Sequence, residues 1–390
     1  MSLSAQNLHF EPAEFAARKA AVIAEMERAG LAGLLIFRQE TMYWLTGYDT
    51  FGYVHFQGLV LSDDGRMVLL TRSADRLQAA FTSVIPDVRV WVDAEGAAPE
   101  AELAGIVAEL GLAGRTLGVE WEAYGLTAAK GRRLADALAG RATLADASLL
   151  VSQLRAVKSP AEIAYAREAA RLADAALDAA VAATGPGAFE GDILAELQGA
   201  IYRGGGDDPA NEQVIGSGRG AGALMCRYYS GRRKLDAEDL LTLEFAAGWH
   251  HYHAALMRTV VIGAPDPRMA RMHAACHEAL LAAEDALRPG EPIGAVFDAH
   301  ARVMEAHGHG GKRLNACGYS LGTTFAPNWM DWPMFFHGQA YVARPGNVFF
   351  AHMILFDEAA GLAMTLARTS LVTETGAEPL SGAPLDLILR

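Results

Sequence analysis

Glu244 closes the apolar run LLTLEF, and a carboxylate at the end of a buried strand costs several kcal/mol unless it is paired or put to use. Two assignments follow from the residue type. It forms a structural ion pair with Arg258, or it is a base or nucleophile whose proton affinity is set by burial. Next comes a histidine cluster, His250, His251 and His253 around Tyr252. Read as a strand, the segment puts His251 and His253 on one face and His250 with Tyr252 on the other, with His250 in solvent. His352 stands alone in the apolar run FFAHMILF, either a satisfied core histidine or a proton carrier. Tyr319 either packs or, as a phenol in a dry pocket, donates to an oxyanion. Asn328, Trp329, Asp331 and Trp332, with Phe335 beyond them, make a Pro-bounded aromatic segment. It reads as a loop that walls a pocket, suited to a quaternary or cyclic cation. His337 follows it as a further candidate for substrate contact.

These residues need a frame, and the chain supplies two. Over 1–152, helices and strands alternate. Residues 14–30 carry helical periodicity ending at a glycine, and 34–37 read as a buried strand. Strands at 57–61 and 67–70 flank the turn signal Asp63–Asp64–Gly65, then a helix at 101–110 and a strand at 116–120 follow. A boundary lies in LRAVKSPAEI, where Ser159 is suited to N-cap a helix, Pro160 to its first position and Glu162 to a capping box. Over 153–390, helices at 160–183, 267–287 and 293–307 mix with apolar strands at 240–245, 258–262, 348–356 and 369–373. Helices beside returning strands predict an α+β domain with helices over one face of a curved antiparallel sheet.

Composition narrows the function classes. The chain has 390 residues, 52% of them hydrophobic, which is enough for two domains. A net charge of −13 and no basic run argue against a nucleic-acid partner. Three widely spaced cysteines, Cys226, Cys276 and Cys317, read as reduced thiols of a cytoplasmic protein. Neither a signal peptide nor a membrane-spanning run is expected.

The stretch LEFAAGWHHYHAALMRT at 243–259 resembles the LDxGxxxxxYxxDxTRT signature of the pita-bread family of prolidases, methionine aminopeptidases and creatinase. Other segments resemble the same family in the same order. MYWLTGY at 42–48 is similar to NxxYLTG, LRAVKSPAEI to the domain-joining motif, and 218–228 to the segment carrying the active-site histidine. GYSLG at 318–322 is similar to GHxxG, RPGNVFF at 344–350 to PGMVFTIE, and LVTETG at 371–376 to VTEDG. The resemblance implies a creatinase-type N-terminal domain, a C-terminal pita-bread domain and a twofold internal repeat that the sequence itself does not display.

The same resemblance implies a change of chemistry. The two aspartate ligand positions fall on Glu244 and Ala255, the histidine ligand on Tyr319, the glutamate ligands on His352 and Ala367, and the active-site histidine on Arg227. Such a set cannot neutralise two hard dications. No metal and no cofactor is therefore expected. Glu244 as the retained carboxylate resembles the ectoine-hydrolase side of the family. Creatinase's own catalytic histidine and glutamates fall on Arg227, Met257 and His352, so its substrate is not expected here. The implied function is metal-independent hydrolysis of a C–N bond in a small polar or zwitterionic molecule. Glu244 is the base or nucleophile, His253 and His352 move protons, Tyr319 stabilises an oxyanion and Arg227 binds a carboxylate. The resemblance further implies a homodimer in which Tyr53 and His55 touch the partner's substrate. Two other readings stand beside this one: an Xaa-Pro metallopeptidase with a relocated site at His251, His253, His337 and His352, and a non-catalytic binding module.

Overall fold

The computed structural model describes residues 7–218 and 232–390, which divide into a unit Met1–Arg155 and a unit Ala156–Arg390. Arg227 and Cys226 lie outside the described residues.

The first unit carries α1 (Pro12–Arg28), β1 (Gly33–Ile36), α2 (Gln39–Thr46), β2 (Gly58–Ser62), β3 (Met67–Arg72), α3 (Arg76–Thr82), β4 (Asp87–Trp91), α4 (Pro99–Glu109), β5 (Thr116–Val119), α5 (Ala128–Leu138), β6 (Thr143–Asp146) and α6 (Leu150–Arg155). Its six strands run in the order β4-β3-β2-β1-β5-β6. The β2–β3 hairpin turns at Asp63–Gly65 as the sequence predicts. Antiparallel pairing of β1–β2–β3 and parallel pairing at both flanks make a mixed sheet buried on two faces. Tyr53 and His55 belong to a loop with a 3-10 turn, Gly52–Val54. That loop is tethered by Thr50 Oγ1 donating to Asp75 at 2.6 Å. Gly52 lies so close to the same carboxylate that a Cβ would stand 2.5 Å from its oxygens, so a side chain there would displace the tether.

The second unit comprises α7 (Pro160–Ala182), α8 (Glu190–Arg203), β7 (Val214–Ser217), β8 (Asp239–Trp249), β9 (Tyr252–Ile262), α9 (Pro267–Ala286), α10 (Gly294–Ala306), β10 (Ala316–Ser320), β11 (Asp331–Phe336), β12 (Val348–Asp357), β13 (Leu362–Thr373), β14 (Gly376–Pro379) and β15 (Ile388–Leu389). Ser159 opens α7 with the capping box its sequence encodes. The main sheet runs β11-β10-β12-β13-β9-β8-β7, antiparallel throughout, with β14 on β13 and β15 parallel to β9. Two halves meet at β9–β13. In each, a helix pair covers a long hairpin: α7 and α8 pack on β8–β9, and α9 and α10 on β12–β13. The twofold repeat invisible in the residues is thus present in the topology.

Two expectations are corrected. His250 and His251 are the turn of the β8–β9 hairpin, with φ of 50° and 63°, the positive values that a two-residue I′ turn requires. Strand alternation therefore does not run through them. The aromatic segment after GYSLG is only partly a loop, because Asp331, Trp332 and Phe335 lie on β11. Pro333 conceals this strand in the sequence. An edge strand tolerates proline because its outward N–H is not needed by a ladder.

Candidate active site

The four long strands place one row of residues across the face opposite the helices. Glu244 on β8 pairs with Met257 on β9, Met257 with Ala367 on β13, and Ala367 with His352 on β12. One step along, Ala246, Ala255, Phe350 and Tyr319 form the next row. Strand alternation makes this assignment firm. Leu243 and Phe245 bury into the helix-side core, while Ala246, Ala255, Met257, Phe350 and Ala367 pack with Tyr319 and Trp329 in a separate cluster. Strands lie about 4.8 Å apart, so the backbones of Glu244 and His352 stand about 14 Å from each other. Between them lies a floor of methyl groups and one thioether.

Where β9 and β13 part on either side of the Met257–Ala367 and Arg258–Leu366 pairs, threonine hydroxyls replace the ladder. Thr369 Oγ1 accepts from Ala255 N at 2.9 Å and donates to Ala255 O at 3.0 Å, and Thr259 Oγ1 accepts from Thr365 N at 2.8 Å. These buried hydroxyls hold the floor without a direct backbone bond.

Glu244 is buried, and it does not pair with Arg258. Arg258 points to the helix side and donates to the carbonyls of Met257 and Ala367, both at 2.8 Å, and to those of Ala383 and Pro384 at 3.4 and 3.1 Å. Burial brings its guanidinium down to about 10, with the Arg368 charge adding to the effect and Asp174 opposing it, so it remains a cation at neutral pH. The structural ion pair weighed from the sequence is therefore not formed.

His352 has its ring 5.6 Å from that of Tyr319 and 5.7 Å from that of Phe350. The Tyr319 phenol oxygen accepts from the Trp329 indole N–H at 2.9 Å, and both residues are buried. Tyr319, Trp329 and His352 are thus brought together.

His253 is not available as a proton carrier. Its Nε2 accepts from Ala210 N at 3.0 Å, so the proton sits on Nδ1, which reaches Thr324 Oγ1 at 3.0 Å. Burial, helped by His251, pushes its pKa down to about 4. The ring is a neutral cross-link between β9, the 207–213 segment and the 321–330 loop. Thr324 and the Ala210 N–H, which sequence reasoning missed, hold it. A backbone donor leaves no residue-type signal to find.

The outlying candidates separate from this cluster. His337 is exposed and paired with Asp298 at 2.8 Å. Trp332 packs edge-on against Tyr341 at 5.1 Å. Asp331 lies against Gly322 beside Lys158, since a Cβ on Gly322 would stand 3.4 Å from its carboxylate and 3.1 Å from the lysine Cε. His251 stacks on Phe325 at 4.2 Å. The relocated metal site at His251, His253, His337 and His352 is not assembled. Among the described residues no three His, Cys, Asp or Glu side chains converge on a point where an ion would sit. The inherited ligand positions fit a dinuclear centre no better, since alanine methyls occupy two of them in the floor itself.

The sequence profile of metallopeptidase family M24 matches residues 164–374, and that of the creatinase/prolidase N-terminal domain matches 18–157. Ectoine hydrolase of Halomonas elongata is 28% identical, over 98% of this chain and 99% of its own. A Sinorhizobium fredii protein named as an uncharacterized hydrolase/peptidase is 29% identical over the same shares. The crystal structure of dipeptidase PepE from Mycobacterium ulcerans superposes with a TM-score of 0.83 at 27% identity, covering 97% of this chain and 99% of that one. The chain belongs to metallopeptidase family M24, a family of hydrolases and peptidases, in its two-domain form with a creatinase/prolidase N-terminal domain.

Proposed function

We propose that this protein hydrolyses a C–N bond in a small polar or zwitterionic molecule without a metal ion. The observation that carries the reading is the row itself: a buried carboxylate at one end, an imidazole and a phenol at the other, and Met257 and Ala367 between. Glu244 is the base that takes a proton from water, or the nucleophile that attacks the carbon directly. His352 returns a proton to the departing nitrogen. Tyr319 donates to the oxygen or nitrogen on which negative charge gathers. The apolar floor of Met257 and Ala367 keeps bulk water from the space between the two ends of the row. Arg227 binds a substrate carboxylate, and Trp329 and Asp331 complete the surroundings. Trp332, turned onto Tyr341, and His337, on the surface, are left out. The similarity of the whole chain to an ectoine hydrolase supports this choice of bond and substrate class. The working unit is a homodimer in which Tyr53 and His55 contact the substrate bound by the partner.

The test is a panel of cyclic amidines, ureido acids, guanidino acids and N-acyl amino acids, followed by Glu244→Gln on whichever compound is cleaved. Glutamine keeps the volume and removes the basicity. A loss of about 10²–10⁴-fold in kcat with an unchanged Tm is expected. A destabilised variant that keeps its turnover per folded molecule would assign Glu244 to the scaffold.

A further inference from the structure

Strand β7 pairs with β8 only as far as Val214 opposite Glu244, yet the edge of β8 beyond that point is not left open. Gln213 continues the ladder with its side chain. Its Oε1 accepts from Ala246 N at 3.1 Å, and its Nε2 donates to Ala246 O at 2.9 Å. The backbone of β8 therefore fixes which end of this amide is which. The remaining Nε2 hydrogen goes to Gln198 Oε1 at 2.9 Å, which fixes the Gln198 amide in turn. Its NH2 group must face away from Gln213. That nitrogen is buried, and it faces the Tyr202 phenol oxygen without completing a hydrogen bond to it.

Gln198 shares one face of α8 with Leu194 and Tyr202, at four-residue spacing. With Asp208, Glu212 and Gln213 they line a cavity of about 510 Å³, a size that suits a small molecule. Tyr202 donates to Asp208 Oδ1. That bond, with burial added, raises the phenol's pKa, so its proton stays in place. Among the described residues no cation pairs with Asp208 or Glu212, both exposed. Arg203, the arginine nearest in sequence, is spent on Glu196 at 2.9 Å. The cavity thus combines two unmatched carboxylates with one buried donor whose direction is set by β8.

We propose that this cavity is a binding site of its own, outside the row, for a small organic cation that carries an acceptor oxygen: a primary ammonium adjoining a carbonyl. The ammonium lies between Asp208 and Glu212, and the carbonyl oxygen takes the hydrogen bond that Gln198 is held to give. Two carboxylates alone would hold any cation. The Gln198 amide is what asks for an oxygen beside the charge, because a bare ammonium has only donors and would meet the NH2 group donor to donor. The floor of the cavity belongs to segment 207–213, which also secures the β8–β9 hairpin. Asp207 accepts from His251 N at 2.9 Å, and Ala210 N donates to His253 Nε2 at 3.0 Å. A bound ligand therefore stiffens the segment that holds the hairpin tip.

The test is equilibrium dialysis of radiolabelled glycinamide against the full chain, with acetamide and methylammonium as competitors. Glycinamide should bind saturably. Each competitor lacks the charge or the oxygen, and should need about tenfold or more higher concentration to displace it. Asp208→Asn combined with Glu212→Gln should weaken binding by about tenfold, and Gln198→Leu by about fivefold. Glu244→Gln should leave it unchanged, which separates this site from the row and from the reaction proposed there. Absence of saturable binding, displacement by acetamide as effective as by glycinamide itself, or binding lost in Glu244→Gln and kept in the cavity variants would overturn the proposal. Should a cavity variant fail to fold, amide exchange in the unmodified protein decides. Glycinamide should slow exchange across 207–213 and at the β8–β9 turn, and exchange unaltered there would overturn the proposal.

Discussion

Arg258 and Glu244 show how far residue type alone can be read. Both are charged, both are buried, and their strands are neighbours, so pairing them is the economical guess. One step of register defeats it. Leu243, not Glu244, faces Arg258, and the two charges leave the sheet on opposite sides. The guanidinium instead serves backbone carbonyls, which carry no signal in a sequence. Arg258→Met should therefore destabilise the protein by about 3 kcal/mol in denaturant titration, through carbonyls left unsatisfied, while turnover per folded molecule stays near its original value. His253 makes the complementary point. A histidine among histidines beside a glutamate reads as catalytic, whereas the structure uses it as a neutral cross-link. Its folded pKa of about 4 lies below its ordinary value of 6.5, so between these the unfolded chain binds the extra proton and the folded one does not. Stability should hold above pH 6.5 and fall as pH drops through that window, by about 3 kcal/mol in all for a shift of this size. His253→Gln should flatten that part of the profile in urea melts. An unchanged profile would contradict the assignment.

At the scale of elements, apolar periodicity and capping signals made α1, α4, α7, α9 and α10 and part of each long strand legible, whereas α8 (Glu190–Arg203) was not read and β9 and β13 were read only at their C-terminal ends. Ser159, Pro160 and Glu162 specify the start of α7 by local chemistry, and the structure follows them. What escaped was punctuation without its usual residues. The β8–β9 turn is made by two histidines rather than Asn-Gly. Left-handed backbone at non-glycine positions costs about 1–3 kcal/mol each and persists only where the surroundings enforce it. The enforcement is visible: Asp207 accepts from His251 N at 2.9 Å, and His251 O accepts from Thr324 N at 3.1 Å. Asp207→Ala should therefore lower stability by about 1–3 kcal/mol. It should also accelerate amide exchange at the hairpin tip and in loop 321–330, with little change near β7. Strand β11 escaped for the opposite reason, since its proline is a breaker in most contexts and harmless at an edge.

For the whole molecule, the family motifs and their order reached the two-domain architecture, and the ligand positions they mark do lie side by side on neighbouring strands. The sequence could not give the spacing of that row, because it depends on which strands pair, and long-range pairing is not written locally. Among the described residues no helix is long and apolar enough to cross a membrane. The first unit exposes Phe51 (76%), Val54 (55%), Leu77 (58%) and Tyr124 (63%) around the loop that carries Tyr53 and His55. Contacts between Gly52 and Asp75, and between Gly125 and the Tyr53 carbonyl, gather these segments on one side of the unit. An apolar surface of this kind suits a second copy. Phe51→Asp should shift light-scattering mass from dimer to monomer. If Tyr53 and His55 contact the partner's substrate, activity should fall with dissociation. A monomeric unmodified protein would remove both expectations.

We propose metal-free C–N hydrolysis on an M24 scaffold whose ligand positions carry Glu244, Ala255, Tyr319, His352 and Ala367. Its most direct test is the rate with the best substrate of the panel, measured alongside elemental analysis before and after exhaustive chelation and after re-addition of Mn, Co, Zn or Fe. The expected result is no stoichiometric transition metal, a rate that chelation does not reduce, and no stimulation on re-addition. Two ions per subunit, or activity that vanishes with chelator and returns with metal, would contradict it.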